Sequence, residues 1–219
     1  MKPVCLVFGA GAGIGGTVAA KFAQEGYHSF LCRRSDQEGL DRLIANIEES
    51  GGSASGQLLN AIEEDAIEEV IQKVESDIGP IEVVVYNLGA QTGMKLLSQT
   101  TYKEFEWGWK MASFGLFRVA KVLCPLMVDR GKGTILVTSA TAAMRGNATQ
   151  HSHAAAMAAR RMLCQSLNAE FSSKGIHVSH IIVDGAVDAP DTLGKMLGPE
   201  MYQQLRETKG MEHDGLLLP

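Results

Sequence analysis

Five glycines fall in the ten positions Val7–Gly16, at Gly9, Gly11, Gly13, Gly15 and Gly16, between the apolar run Val4–Phe8 and an amphipathic stretch. A chain that turns sharply from a strand into a helix leaves the first helical N–H groups without partners. Together with the positive end of the helix dipole they form a site for phosphate. Gly9 can take backbone angles closed to other residues, Gly13 lets a pyrophosphate approach the main chain, and Gly15 allows close helix packing. Glycine clusters also mark ordinary loops, so the reading as a nucleotide cradle rests on its place between a first strand and a first helix. Further along, His151 and His153 stand two apart at the start of a stretch of small residues. A histidine titrates near neutrality and can donate a proton, although one at a helix start can equally cap or pack. Third and fourth ligands at metal spacing are lacking, so no metal site is expected.

The elements that must position these residues alternate. Val4–Phe8, Ser29–Cys32, Ile81–Asn87, Gly133–Ser139 and Ile176–Val183 read as strands, with a weaker one near Gly56–Asn60. Helices are expected over Gly13–Glu25, Gln37–Ser50, Glu63–Ile78, Tyr102–Arg130 and His153–Ser173, with Gly26, Gly51, Gly79, Gly131 and Gly175 at or near their ends. Strands alternating with helices imply a parallel sheet covered on both faces, a Rossmann-type doubly wound α/β domain of three layers. Its ligand site lies at the carboxyl ends of the strands, where the strand order reverses. The glycine turn falls there. At the end of the second strand such a domain holds NAD by an acid on the ribose, whereas this chain has Cys32-Arg33-Arg34. Guanidinium groups there suit a 2′-phosphate and favour NADP over NAD; the alternative is a solvated loop.

Composition narrows the rest. The chain has 219 residues, 45% hydrophobic and 21% charged, and is read as one domain over 1–219. A net charge of -5 argues against a nucleic-acid surface, which needs a basic stripe. The start is too short in apolar residues for a signal peptide, and no apolar run of about 18 residues is read from the sequence. A cytoplasmic protein with no membrane partner is expected. Cys5, Cys32, Cys124 and Cys164 are scattered singly, so no disulfide is expected.

Gly9-x-x-x-Gly13-Ile14-Gly15, then VVVYNLG, GTILVTSATA, HAAAMAARRMLCQSLNAEF and GIHVSHIIVDGAVDAP, in this order over nearly the whole chain, resemble the short-chain dehydrogenase/reductases. The resemblance implies that Ala10, Gly11, Ala12, Gly13 and Ile14 wrap the pyrophosphate and that Asn60 and Ala61 lie beside adenine. It further implies that Asn87, Leu88 and Gly89 border the adenosine ribose and that Gly185 to Val187 contact the nicotinamide end. Asp184 stands where the family has a proline.

The same resemblance exposes departures. The family reduces carbonyls with a tyrosine that gives the proton, a lysine that holds the nicotinamide ribose, a serine that orients substrate and an asparagine that organises a relay water. The Tyr-x-x-x-Lys positions read His153 and Met157, the serine slot reads Ala140 with Ser139 one place early, and the asparagine position is Ala112. Two readings follow. In one the protein reduces a small apolar carbonyl compound, or oxidises the alcohol, with His153 and Ser139 as its catalytic residues. In the other it is a catalytically inactive NADP-binding sensor or partner subunit.

Ala154, Ala155, Ala158 and Ala159 would let a second helix come close, as in the family's dimers and tetramers, so a homo-oligomer is expected, with core packing as the alternative. Residues 188–211 are expected to cover the substrate pocket, with Leu193, Met196 and Leu197 as an apolar lining or as ordinary packing. The family continues with another helix and strand, whereas this sequence ends in Gly-Leu-Leu-Leu-Pro. Either those elements lie beyond the sequence or the sheet lacks its seventh strand, in which case the apolar surface they would cover must be buried by a partner chain or remain an aggregation risk.

Overall fold

Val4–Phe8 forms β1, the buried centre of the sheet, and its side chains alternate between two cores: Val4, Leu6 and Phe8 on one face, Cys5 and Val7 on the other. The computed structural model describes residues 2–89, 93–209, 211–212 and 216–217. After β1 come α1 (Ile14–Gln24), β2 (His28–Arg33), α2 (Gln37–Glu49), β3 (Ser53–Leu58), α3 (Ala66–Asp77) and β4 (Ile81–Tyr86). Then follow α4 (Tyr102–Trp109), α5 (Gly115–Arg130), β5 (Gly133–Ala140), α6 (His151–Phe171) and β6 (Ile176–Val183). The six strands lie in the order β3-β2-β1-β4-β5-β6, all parallel, with α1 and α2 packed on one face and α3, α5 and α6 on the other. This is the doubly wound, three-layered sheet expected. The order reverses between β1 and β4. The register sets Phe8 level with Cys32 and with Tyr86, so Gly9, Arg33 and Asn87 leave the sheet side by side.

Several boundaries move. The weak strand expected near Gly56–Asn60 is β3, which begins at Ser53 because it pairs with β2 from His28 onward. The helix expected from Glu63 starts at Ala66, after Asp65 takes a left-handed conformation (φ 57°). α6 begins at His151 and not His153, which puts His153 inside its first turn.

The single helix expected over Tyr102–Arg130 is interrupted by a π turn at Lys110–Phe114. Its cause is the Tyr86 side chain, whose buried hydroxyl donates to the Met111 carbonyl at 2.5 Å. Gly115 leaves room for that phenol: a Cβ there would lie 3.3 Å from Tyr86 Cζ and closer still to the hydroxyl. Burial pushes the Tyr86 pKa up. The expectation that no run is apolar enough to span a membrane is also corrected. Tyr102–Arg130 contains an 18-residue window of mean hydropathy 1.6, long and apolar enough by length and composition, and 56% of it is buried within the fold. Leu116, Val119, Leu123 and Met127 account for this: they face the sheet as the core side of α5.

Beyond β6 a short antiparallel sheet forms, with β7 (Ala186–Val187), β8 (Met211–Glu212) and β9 (Leu216–Leu217) in the order β7-β9-β8. Between β7 and β8 lie a π turn at Pro190–Gly194, α7 (Lys195–Leu197) and α8 (Pro199–Lys209). Of the three leucines at the end of the sequence, Leu216 pairs with Val187 and Leu217 with Ala186. Leu218 and Pro219 lie outside the described residues.

Candidate active site

The glycine turn is fixed from both sides. Gly9 has φ +85°, and a Cβ on it would lie 2.7 Å from the Asn87 carbonyl oxygen. The N–H groups of Gly9 and Ala10 both donate to the Cys32 carbonyl, at 2.9 and 3.0 Å. Asn87 Nδ2 donates to the Gly9 carbonyl (3.0 Å), and Thr138 Oγ1 donates to Asn87 Oδ1 (2.7 Å). Four strand ends, those of β2, β1, β4 and β5, are tied together by this chain of bonds. A Cβ on Gly15 would lie 2.9 Å from Asn87 Nδ2 and closer still to the Gly9 oxygen, so α1 can start here only with glycine at that position. Among the described residues no side chain caps the start of α1. The start of α1 borders a cavity of about 500 Å3, lined by Gly9, Gly11, Gly13, Gly15, Gly185 and Leu193 among others, and of its first N–H groups that of Gly16 is taken by the Gly11 carbonyl (2.8 Å). An uncapped helix start beside backbone that excludes every side chain fits a phosphate. A second hollow of about 610 Å3 flanks the same turn, reaching from Ala12 and Ile14 to Val183 and Val187.

A smaller cavity, about 160 Å3, opens along β5 and α6 and shares Ile14 and Asn87 with the glycine cavity. Leu88, Gly89, Ser139, Ala140, His153 and Met157 contribute to its wall. The sequence candidates His153 and Ser139 are thus brought together. Ser139 is buried, and its Oγ meets Met157 Sδ at 3.8 Å, a weak contact in which the thioether can only accept. Helical periodicity explains the grouping: His153, Met157 and Arg160 stand at i, i+4 and i+7 on one face of α6. The position of His153 in the first turn sets the helix dipole against an imidazolium.

Arg160 was not singled out in the sequence. It is 1% exposed and lines the same cavity. Its Nε donates to the Ala112 carbonyl (2.9 Å), its Nη1 to the Thr138 carbonyl (2.8 Å) and its Nη2 to the Leu88 carbonyl, while the guanidinium lies over the Tyr86 ring, 5.3 Å from its centroid. Ala112 sits in the π turn, where the widened helix leaves carbonyls for outside donors. The sequence signal was faint: two arginines inside the small and apolar stretch Ala154–Leu163.

Other candidates lie elsewhere. Arg33 is ion-paired to Asp36 at 3.0 Å, and Asp36 also caps α2 by accepting from Gly39 N–H (2.9 Å). That backbone bond, ahead of Arg33 and Arg42, holds the Asp36 carboxyl below its usual range. Arg34 is exposed. Asn60 donates to Glu63 (2.9 Å), and Ala61 borders a separate hollow with Phe114 and Arg118, its carbonyl accepting from Arg118 Nη1 (3.0 Å). Neither is among the residues that line the glycine cavity. The four cysteines are buried and free, and burial pushes Cys124 and Cys164 up to about 11. No cluster of three metal-ligating side chains occurs among the described residues.

Comparison with known proteins gives a consistent picture. Residues 3–194 match the short chain dehydrogenase family model. The 3-oxoacyl-(acyl-carrier-protein) reductase FabG of Thermotoga maritima is 30% identical over 191 residues, 86% of this chain and 76% of the relative. A short-chain dehydrogenase from Sphingobium yanoikuyae, solved in complex with NADPH, superposes with a TM-score of 0.76 at 28% identity, covering 84% of this chain and 71% of that one. An NAD+-bound xylitol dehydrogenase gives a TM-score of 0.78 at 25% identity, covering 83% and 70%.

Proposed function

This chain belongs to the short chain dehydrogenase family, and from that premise we propose that it binds NADP(H) along the glycine turn and reduces a small apolar carbonyl compound beside His153. The observation that carries the reading is the sharing of Ile14 and Asn87 between the glycine cavity and the cavity holding His153 and Ser139. A cofactor laid along α1 would then bring its reactive end to those side chains. The bound nicotinamide supplies the hydride. The chain's own residues do the rest: α1's first N–H groups hold the pyrophosphate, and Arg34, exposed at the end of β2, meets the 2′-phosphate. His153 donates its N–H to the carbonyl oxygen as a hydrogen bond and polarises it as charge develops there, while the proton that completes the alcohol comes from solvent. Met157, Ala140, Val183 and Leu88 make a wall suited to an apolar substituent. Residues 188–211 act as the cover, with Leu193 facing the cofactor and Asp188 accepting from Tyr202 to hold the segment together. Arg33, already paired with Asp36, plays a lesser part.

Met157 in place of a donor, in contact with Ser139, favours a second reading: an NADP-binding protein that no longer performs the reduction. Calorimetric titration with NADPH and NADH decides the cofactor, with NADPH expected to be tighter. Turnover of NADPH with a panel of aldehydes and ketones then separates the two readings. We further propose a cytoplasmic homodimer or homotetramer. The free thiols agree with a reducing compartment, and the surface formed by Ala155, Ala158 and Met162 on α6 with Trp109, Phe114 and Phe117 offers the contact.

A further inference from the structure

Arg160 is a buried charge without an ionic partner among the described residues. Three backbone carbonyls and one aromatic face surround its guanidinium, and none of them carries a negative charge. Burial lowers its pKa, yet a guanidinium starts so high that it stays protonated at any working pH. Leaving such a cation uncompensated is costly, and an arginine that served only to tie loops together could be replaced by neutral donors. The three carbonyls also fix it rigidly, at the ends of β4 and β5 and in the π turn, so its charge cannot swing away to solvent. It lines the cavity that holds His153 and Met157.

Resting on the proposed cofactor reading, we infer that Arg160 makes this pocket discriminate the redox state of the nicotinamide, binding the neutral reduced ring and rejecting the cationic oxidised one. The physical basis is like-charge repulsion from a guanidinium that is itself buried, across a largely apolar wall. A pyridinium ring carries one positive charge, whereas the dihydropyridine carries none, and everything else in the two cofactor forms is shared. A fixed guanidinium at the wall therefore weakens only the oxidised form. Arg160 acts here as an electrostatic positioning residue and transfers no atom.

The test is a ratio of affinities and needs no turnover. Kd is measured for NADPH and NADP+ on the full chain by calorimetry or by quenching of protein fluorescence, and the reduced form is expected to bind about tenfold tighter or more. In Arg160→Met the ratio should fall by about tenfold, whereas Arg160→Lys, which keeps the charge, should retain most of it. A purely structural role would weaken both forms alike and leave the ratio unchanged. Should the methionine variant not fold, Arg160→Gln, neutral but still a donor, replaces it. Binding of both forms with a ratio near one, or a ratio unmoved in a folded neutral variant, overturns this inference alone. Binding of neither form to the unmodified chain overturns the cofactor reading beneath it.

Discussion

At the residue scale, function turns on a few positions where identity and place can be separated. His153 lines the smaller cavity, so His153→Ala should abolish NADPH-dependent turnover while leaving NADPH affinity within about twofold; unchanged turnover would remove it from the chemistry. Gly15 is constrained by contact: its missing Cβ would press on the Gly9 carbonyl and Asn87. Gly15→Ala should cost about 1–3 kcal/mol in urea denaturation and weaken NADPH binding, because relief of the clash must move the turn itself. At the end of β2 the two arginines should differ. Arg34→Ala is expected to weaken NADPH by about tenfold and leave NADH unchanged, whereas Arg33→Ala, which mainly loses the Asp36 pair, should do less.

At the scale of elements, the π turn and the start of α4 show how distant residues set local structure. Tyr86 and Gly115 are complementary: the phenol occupies the space a Cβ would need. Gly115→Ala should destabilise the fold by about 1–3 kcal/mol, and Tyr86→Phe by a similar amount through the lost bond to Met111. The double variant should cost less than the sum of the two, since removing the hydroxyl relieves the clash. In the first turn of α4, Glu104 is held at about 2, first by Lys95 and then by the backbone and side chain of Thr101, which caps the helix. A carboxyl depressed in the folded state contributes stability above its ordinary pKa of about 4.3, and that contribution disappears as pH falls from there toward about 2. Thermal denaturation at pH 7, 4.5 and 3 should therefore show a steeper acid loss in the unmodified chain than in Glu104→Gln.

At the scale of the whole molecule, the remaining question is how the outer surfaces of α4 to α6 are used. Trp109, Phe114 and Phe117 form a stacked row with centroids 5.2 and 6.4 Å apart, and each is 38% or more exposed. Exposed aromatics in contact are a common mark of an interface. Sedimentation velocity should give a dimer or tetramer, and Phe117→Asp should shift it toward monomer without changing the circular dichroism of the fold. A monomer at micromolar concentration would assign the row another use.

Local physical chemistry was enough to determine the alternation of strands and helices, the parallel sheet and the place of the glycine turn. Val4–Phe8 is too apolar to be anything but a central strand, and only glycine can enter a turn that Asn87 and Gly9 crowd so closely. His153 was singled out by the family resemblance, at the position of the tyrosine, and helical periodicity then keeps it on one face of α6 with Met157. Tertiary structure decided the rest, through contacts that no local pattern encodes. The π turn depends on Tyr86, 25 residues from Met111, and Arg33 is turned aside by a capping Asp36. Leu216 and Leu217 are paired by a strand some thirty residues earlier. Above all, Arg160 carries no distinguishing signal in the sequence, and it becomes a buried charge at the cavity wall only when three separate carbonyls converge on it. Burial of a polar group is a property of the packed chain, because its partners come from elements that meet only when the sheet has closed.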